Sequence, residues 1–336
     1  MSLGGRVGLL GSRLRAFVAL YALEPAEVDR FFASYALFEG DWSNQNGKSE
    51  AQIVDYYHVL NHLCALGNVE KMYIPPYIDA SQGVLGNQLL FERTMMDQIG
   101  ATRDMRVLDV GCGRGRIAAH VASHSGAHVT GINIDATQVE SGTRNAADRG
   151  LTDRLRFVRG SLNDPLPFDD AAFDAVYQVQ AFTYAKHKPT VFGEVFRVMR
   201  PGARFSFLDW VRLPAFQVND SEHRQLLART QGLIGAVDTP SPEDLCAAME
   251  QSGFDVLLSK DASVDGHQSQ LIAAEDRYFK AAKKLIGGLV RTRVLPRHMG
   301  LLFDRFVKDG DAFIEMDQRG LATSSWQIVA RKPVAA

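Results

Sequence analysis

Three glycines and one acidic residue alternate with other residues in a short run of this chain. Asp109, Gly111, Gly113 and Gly115 follow the pattern D-x-G-x-G-x-G at the end of an apolar stretch. Glycine lets the backbone adopt conformations that are closed to other residues, and it lets a ligand lie against the main chain. An acidic residue at the carboxyl end of a strand suits a cationic part of that ligand. The pattern therefore predicts a turn that cradles a nucleoside-containing cofactor.

The elements that must hold this turn are visible on both sides of it. Arg106–Val110 reads as an apolar strand, a helix-like segment follows the glycines, and Ala127–Ile134 is a second apolar run. Strand, turn, helix and strand make a βαβ unit. The spacing differs from the G-x-G-x-x-G of dinucleotide sites. Asn133 ends the second strand, where ribose hydroxyls need a polar partner.

The next hundred residues continue the alternation of strands and helices. Ser161 and Leu162 follow the third predicted strand and would flank an adenine ring. Apolar residues recur at helical spacing over residues 191–200, and Pro201-Gly202 ends that helix. The predicted strands are 155–160, 173–177 and 203–210. The whole run from Arg106 to Trp210 resembles class I S-adenosylmethionine-dependent methyltransferases. The resemblance implies S-adenosylmethionine as the cofactor and a Rossmann-like α/β sheet with N-terminal helices and a helical lid inserted before the last strand.

Composition and charge restrict the class of protein. The chain has 336 residues, 46% of them hydrophobic, and a net charge of −2 without a basic block, so nucleic acid is excluded as a partner. Three widely spaced cysteines predict free thiols in a reducing cytoplasm and no metal site. The sequence has no run of 18 apolar residues, so no membrane span is expected. Residues 1–23 lack the layout of a signal peptide.

Five segments are predicted along the chain. A helix before residue 24 has one apolar face, which we expect to be exchanged between subunits of a homo-oligomer; its residues are Val7, Leu10, Leu14, Phe17, Val18 and Tyr21. Residues 40–47 read as a polar loop. The helical insertion would cover the carboxyl end of the sheet and enclose an apolar pocket. The segments are an N-terminal helical extension (1–48), lid helices (49–100), a cofactor-binding core (101–210), a helical cap (211–310) and C-terminal strands (311–336).

Further motifs, from about residue 50 to residue 333, resemble the sterol C24-methyltransferase family. They are Tyr56-Tyr57 in a helix, Leu108–Gly113, Asp209-Trp210, Asn219–Arg224 and Val329–Pro333. The resemblance implies methylation of an isolated carbon–carbon double bond in an isoprenoid chain. The alkene attacks the methyl group without a base, and the resulting carbocation is stabilised by aromatic faces, each worth about 0.5–2 kcal/mol.

Two departures from that family change the expected end of the reaction. Gln180 stands where the family has a glutamate that takes the final proton, and Tyr184 replaces a histidine. An amide does not accept a proton as a carboxylate does. Proton loss then needs another group, or the cation cyclises. The candidate groups are Asp209, His187, His223 and Glu222. With these departures the sequence resembles the prenyl C-methyltransferases of actinomycetes that modify teleocidin-type indole alkaloids.

The alternatives are a prenyl diphosphate or sterol C-methyltransferase, an O- or N-methyltransferase with a histidine or Tyr184 as base, and a non-catalytic lipid-binding protein. No metal site is predicted, and the partner is an apolar terpenoid substrate. The predicted catalytic residues are Tyr184, Phe182, Trp210, Gln180, Asp209, His187 and His223. The predicted cofactor residues are Asp109, Gly111, Gly113, Gly115, Asn133, Ile134, Gln138, Ser161, Leu162, Gln178 and Tyr57. The predicted pocket residues are Tyr56, Tyr73, Tyr77, Phe207 and Trp326.

Overall fold

The computed structural model describes residues 3–38, 48–67 and 69–334, so the loop predicted at 40–47 lies outside the described residues. The chain divides into two units, and each is assembled from separate stretches of sequence. The helical unit comprises residues up to 72, 217–237 and 268–319. The sheet unit comprises residues 73–216, 238–267 and those from 320 onward.

Helices account for most of the described chain. Short 3-10 helices follow at Tyr35–Phe38, Phe182–Tyr184 and Val264–Gly266. The α-helices of the described residues are α1 (Leu3–Tyr21), α2 (Pro25–Ser34), α3 (Lys48–Leu66), α4 (Val84–Ile99), α5 (Arg116–Ser125), α6 (Ala136–Asp148), α7 (Lys188–Val198), α8 (Ser221–Ile234), α9 (Pro242–Gln251), α10 (Ser269–Arg291), α11 (Arg297–Phe306) and α12 (Gly310–Gln318).

One mixed sheet organises the other unit. Its strands have the order β3-β2-β1-β4-β5-β7-β6, and β7 alone runs antiparallel to its neighbours. The chain order reverses between β1 and β4, which is where ligands bind in open α/β sheets. The predicted Rossmann-like sheet is confirmed. The strands are β1 (Arg106–Val110), β2 (His128–Asn133), β3 (Leu155–Arg159), β4 (Phe173–Val179), β5 (Met199–Arg212), β6 (Asp255–Asp261) and β7 (Ala322–Arg331).

Other elements cover both faces of the sheet. The central strands are therefore apolar at nearly every position, because the side chains on both of their faces are buried. On one face, Phe182 stacks on Phe192 with ring centroids 5.1 Å apart, and it meets the edge of Phe207 at 5.4 Å. Val107 and Tyr177 belong to the core on the other face, beneath α4 and α5. Phe182 and Phe207 are therefore core residues, only 1% and 0% exposed.

The C-terminal quarter differs from the prediction of helices followed by strands. Residues 255–261 form the strand β6 at the sheet edge, and α12 continues as a helix to Gln318. The helix forms because Ala312, Phe313 and Met316 recur at helical spacing and are buried. Only one strand, β7, follows it.

The N-terminal helix α1 has an exposed apolar stripe. Leu14, Val18 and Tyr21 are 64%, 55% and 51% exposed, although Ala16 and Leu20 on the same helix are buried. The side chains of Val7 and Leu10 lie outside the described part of the chain. Among the described residues, no helix is both long and apolar enough to cross a bilayer.

Candidate functional site

The glycine turn joins β1 to α5 and follows the carboxyl end of β1. The N–H groups of Gly111 and Cys112 both donate to the carbonyl of Ile132, each at 3.0 Å, so the turn is fixed to the end of β2. Gly111, Gly113 and Gly115 have φ values of +79°, +53° and +68°, the left-handed region that favours glycine.

The three glycines serve different purposes in this turn. A Cβ on Gly111 would lie 2.3 Å from the Cβ of Ala181, and a Cβ on Gly115 would lie 2.4 Å from the Phe157 ring. These two glycines allow close packing. A Cβ on Gly113 would approach nothing nearer than Gln138 Oε1, at 3.4 Å. The open space beside Gly113 is where a ligand can lie against the main chain.

Polar groups gather beside this space, at the end of β2 and the start of α6. Asp135 caps α6: its Oδ1 accepts from the N–H groups of Thr137 at 2.8 Å and Gln138 at 3.4 Å. Asn133 Oδ1 accepts from the Asp135 N–H at 2.9 Å. Asp135 Oδ2 is buried and has no hydrogen-bond partner. A buried acceptor of this kind needs a donor, and a ribose hydroxyl or an adenine amine supplies one.

Asp135 did not figure among the predicted cofactor residues, although a signal for it exists. An aspartate directly before a helical stretch is a common N-cap, and helix N-termini favour polar and anionic ligands. The predicted neighbours lie here too. Asn133 and Ile134 are half-buried, and Gln138 is 8% exposed.

Asp109 lies below the turn, on the face of the sheet that packs against α4. The Tyr177 hydroxyl donates to Asp109 Oδ2 at 2.8 Å. Burial raises the pKa of Asp109 to about 7, and the Tyr177 hydrogen bond lowers it in part. Glu92 raises this pKa further and itself accepts from the Tyr73 hydroxyl at 2.8 Å. Tyr73 is thus a core residue in a buried polar network.

The loop after β3 is tied to the loop after β4. Asn163 Nδ2 donates to the carbonyl of Tyr184 at 3.0 Å, and Asn163 Oδ1 accepts from the Lys186 N–H at 2.8 Å. Ser161 Oγ accepts from the Asn163 N–H at 3.1 Å. Ser161 is 7% exposed, and Leu162 packs partly against the core. Asn163 was not predicted, because nothing in its local sequence indicates a partner 21 residues away.

Two further predicted residues shape the loop that follows β4. Gln178 is fully buried; its Nε2 donates to the carbonyl of Leu208, and its Oε1 accepts from the Ala181 N–H, both at 3.0 Å. Asp209 accepts from the N–H groups of Trp210 and Phe182, each at 2.8 Å. Burial raises the pKa of Asp209 to about 6, and the two N–H donors oppose that rise. Asp209 is therefore ionised at neutral pH, yet more basic than an ordinary carboxylate.

Gln180 occupies the first position after β4 in a left-handed conformation, with φ of +52°. Its Oε1 accepts from the Ile74 N–H at 3.0 Å, and its Nε2 donates to the carbonyls of Ile74 and Ser324, both at 2.8 Å. The amide thus makes three bonds to main-chain groups. A carboxylate at this position has no N–H to donate to the two carbonyls.

The two predicted histidines have structural partners in the described chain. His187 caps α7, and its Nδ1 accepts from the Thr190 N–H at 3.3 Å. His223 belongs to the helical unit and is 7% exposed. Its Nδ1 accepts from the Gln217 N–H at 3.0 Å, and its Nε2 lies 2.9 Å from the guanidinium of Arg319.

The remaining aromatic candidates fall into two sets. In the sheet unit, Tyr184 and Trp210 are buried at 7% and 3% exposure, whereas Tyr77 and Trp326 are half-buried. In the helical unit, Tyr56 is fully buried, with its ring 6.2 Å from Phe31, and Tyr57 is half-buried beside it.

The sheet unit therefore brings most of the predicted polar residues to the carboxyl ends of β1, β2, β3, β4 and β5. The space beside Gly113 and the buried Oδ2 of Asp135 fit a ligand with a nucleoside part. Within the described residues, no group of three or more His, Cys, Asp or Glu side chains is arranged to hold a metal ion.

Comparison with known proteins agrees with this geometry. Residues 108–207 match the family model described as a methyltransferase domain. A sterol 24-C-methyltransferase of Gibberella zeae is 31% identical over 263 residues, which are 72% of this chain and 69% of that protein. The solved structure of the cyclase SpnF superposes with a TM-score of 0.69 at 20% identity, over 85% of this chain and 97% of that one. The solved structure of geranyl diphosphate C-methyltransferase from Streptomyces coelicolor superposes with a TM-score of 0.56 at 18% identity. The superposition covers 78% of this chain and 91% of that one.

Proposed function

Because the chain belongs to the sterol 24-C-methyltransferase family, whose members are S-adenosylmethionine-dependent methyltransferases, we propose that it methylates an isolated alkene of an isoprenoid chain. The fold is that of class I methyltransferases, and the predicted enzyme class and cofactor are confirmed. The acceptor, the roles of individual residues and any later ring closure form the proposal.

Three features beside the turn support cofactor contacts by particular residues. Gly113 supplies open backbone, Asp135 Oδ2 supplies a buried acceptor for a hydroxyl or amine, and Asp109 supplies negative charge beneath the turn. Gly111 and Gly115 hold the turn in shape, and Asn133 orients Asp135 through its N–H. When bound, S-adenosylmethionine supplies an electrophilic methyl group.

The family relationship carries the alkene assignment, and the hydrogen-bond partners of the two candidate histidines agree with it. Methylation of a hydroxyl or amine calls for a positioned base that removes a proton. His187 instead caps a helix, and His223 accepts from the Gln217 N–H and lies beside the Arg319 guanidinium. An alkene needs no base at the start, because its π electrons form the new carbon–carbon bond as the methyl group leaves sulfur.

The cation that remains on the acceptor must lose a proton or be attacked. Asp209 is our candidate for the proton acceptor, because it is ionised at neutral pH and more basic than an ordinary carboxylate. Aromatic faces stabilise such a cation by about 0.5–2 kcal/mol each. Tyr184 and Trp210, which flank the same strand ends, are our candidates for these faces.

The finer proposal is that the cation is attacked by an arene of the same substrate. An indole carbon would form the second carbon–carbon bond, and that ring carbon would then release its proton to restore aromaticity. The bonding of Gln180 supports this outcome, because the position that bears the family's glutamate here has no carboxylate to quench the cation early.

We further propose that the enzyme is a homo-oligomer in which α1 packs on another subunit. Leu14, Val18 and Tyr21 form one exposed apolar stripe along about two turns of α1. Exposed apolar stripes of this type mark interaction surfaces. If two subunits exchanged this helix, the stripe would be buried by an element that the chain already contains.

The test is mass-spectrometric product analysis with S-adenosylmethionine and three acceptors: a prenylated indole lactam, geranyl diphosphate and a Δ24 sterol. We expect one added methyl group and one added ring on the prenylated indole, with loss of the alkene. Turnover of only the diphosphate or the sterol would keep alkene methylation and refute the indole assignment. Methylation of a heteroatom would refute the alkene proposal itself.

A further inference from the structure

Residues 73–79, which we call the strap, cross the sheet unit without forming helix or strand. The strap contains Pro75 and Pro76, which have fixed φ angles and no N–H to donate. Both prolines are buried, whereas Ile74 and Tyr77 are half-buried. A segment of this kind cannot hold itself in place through its own backbone bonds.

Four side chains from three other places in the sheet unit hold the strap. Gln88 Nε2 donates to the Tyr73 carbonyl at 3.0 Å, and Asn87 Oδ1 accepts from the N–H groups of Ile78 and Asp79 at 2.7 and 2.9 Å. Ser263 Oγ accepts from the Tyr77 N–H at 3.0 Å. The Gln180 amide binds both the N–H and the carbonyl of Ile74. The Val264 N–H also donates to the Tyr77 carbonyl, at 2.8 Å.

Gln180 is the attachment that connects the strap to the reacting end of the sheet. It is the first residue after β4, and its third bond reaches Ser324 near the start of β7. Its left-handed backbone is unusual for a residue with a Cβ and costs about 1 kcal/mol. Such strain persists where the surrounding structure fixes it, and the three side-chain bonds of Gln180 do so.

The strap and the cofactor turn meet different parts of the sheet edge. The turn lies at the ends of β1 and β2, whereas Gln180 and Ser263 hold the strap at the ends of β4 and β6. Gln180 also bonds to Ser324 near the start of β7. The strap is therefore on the side of the switch point where the acceptor must lie if the cofactor occupies the turn.

We propose that Gln180 is a positioning residue that fixes the strap as one wall of the acceptor pocket, and that the wall sets which apolar acceptor is accepted. This inference rests on the proposed function. The strap is pre-ordered, so the acceptor does not spend binding energy on ordering it. Loss of the amide's donors would loosen the wall without altering the turn.

The test compares Gln180→Glu with Gln98→Glu, a matched control. Gln98 exchanges amide hydrogen bonds with Gln327 between α4 and β7, so the same change removes donors from a half-buried amide in the same unit. We expect Gln180→Glu to raise KM for the acceptor about tenfold or more, because ordering the strap then opposes binding. The Kd for S-adenosylmethionine should change less than about threefold.

Hydrogen exchange gives a second readout that does not depend on the acceptor. The N–H groups of Ile74, Tyr77, Ile78 and Asp79 report on the strap, and their exchange should accelerate in Gln180→Glu but not in Gln98→Glu. Ser263→Ala, which removes one attachment of Tyr77, should raise the acceptor KM in the same direction by a smaller factor. If Gln180→Glu does not fold, Ser263→Ala tests the same role of the strap.

Each failure has its own signature. The KM comparison uses whichever acceptor the wild-type enzyme methylates. Methylation of a heteroatom would therefore refute the proposed function, but the KM values of the variants could still be compared. Equal acceptor KM values in Gln180→Glu and Gln98→Glu would overturn the positioning role. Unchanged exchange of the strap would overturn it whether or not any acceptor is turned over.

Discussion

The hydroxyl of Tyr177 donates to the carboxylate of Asp109 across adjacent strands, at 2.8 Å and wholly inside the protein. The bond favours the ionised form of a group whose burial favours the neutral form, and the pKa of Asp109 comes to about 7. A cofactor with a sulfonium charge above this carboxylate would favour ionisation. We therefore expect the affinity for S-adenosylmethionine to rise with pH up to about 7.

Calorimetry between pH 5.5 and 8 checks this expectation. The affinity should fall by at most about tenfold for each pH unit below the pKa. S-adenosylhomocysteine, which lacks the sulfonium charge, should show a smaller change. Asp109→Asn should abolish the dependence, and Tyr177→Phe should move its midpoint upward, because the hydrogen bond that lowers the pKa is lost. A profile that Asp109→Asn leaves intact would assign the dependence to another group.

The same group predicts a pH dependence of stability with the opposite direction. The folded-state pKa of Asp109 is raised from 3.8, so the folded protein keeps a proton that the unfolded chain releases. Its contribution is fully present below about pH 4 and is lost as pH rises through about 7. Denaturant melts should show a smaller fall in the unfolding free energy between about pH 4 and 7 for Asp109→Asn than for the wild type, and Asp209 accounts for part of what remains.

Two glycines of the turn should respond differently to alanine. Gly111→Ala places a Cβ against Ala181, so we expect a loss of about 2–4 kcal/mol from overpacking and the left-handed φ. Gly113→Ala costs only the conformational part, about 1–2 kcal/mol. It fills the space assigned to the cofactor, so its Kd should rise more than about tenfold. Thermal melts and calorimetry on both variants check this, and equal cofactor affinities would argue against the placement.

One substitution should separate the two roles of Asp135, which are to cap α6 through Oδ1 and to contact the cofactor through Oδ2. Asn is as good an N-cap as Asp, so Asp135→Asn should keep the fold, with its Oδ1 accepting from Thr137 and Gln138. Its NH₂ group then replaces the acceptor Oδ2. A hydrogen bond to a charged group contributes about 1.5–3 kcal/mol, so cofactor affinity should fall by about tenfold to a hundredfold. An unchanged Kd together with an unchanged Tm would refute a contact at Oδ2.

The exposed stripe of α1 should determine subunit assembly. We expect Val18→Asp, or deletion of residues 1–22, to lower the mass measured by light scattering, because a charge cannot be buried unpaired at an apolar contact. Val264→Asp is the control, since Val264 is 53% exposed on the sheet unit. An unchanged mass after the deletion would refute assembly through α1.

The strands that surround the turn were predictable because their apolar residues are continuous. The sequence around Leu108, Val176 and Phe205 indicates strands that are buried on both faces, and the structure has β1, β4 and β5 there. β6 was missed because it is an edge strand with several polar and exposed residues, and Leu257 within it is 47% exposed. Local patterning does not distinguish such a strand from a loop.

The candidate site was predictable where its chemistry is local. The glycine turn is contiguous in sequence, so its spacing was informative. The role of Gln180 was not, because its partner Ile74 is 106 residues away. The family resemblance alone predicts that Gln180→Glu alters the product ratio, because it restores the family's proton acceptor beside the cation. The structure predicts that the same substitution acts first on the strap.

The position of β7 constrains the order in which the sheet is completed during synthesis. β7 lies between β5 and β6, and both of these strands leave the ribosome before it. Until residues 322–331 emerge, β5 has one unpaired edge and β6 has no partner strand, and unpaired edges pair readily with other chains. We therefore expect the nascent protein to be most prone to aggregation before β7 emerges, so chaperone dependence should be concentrated there.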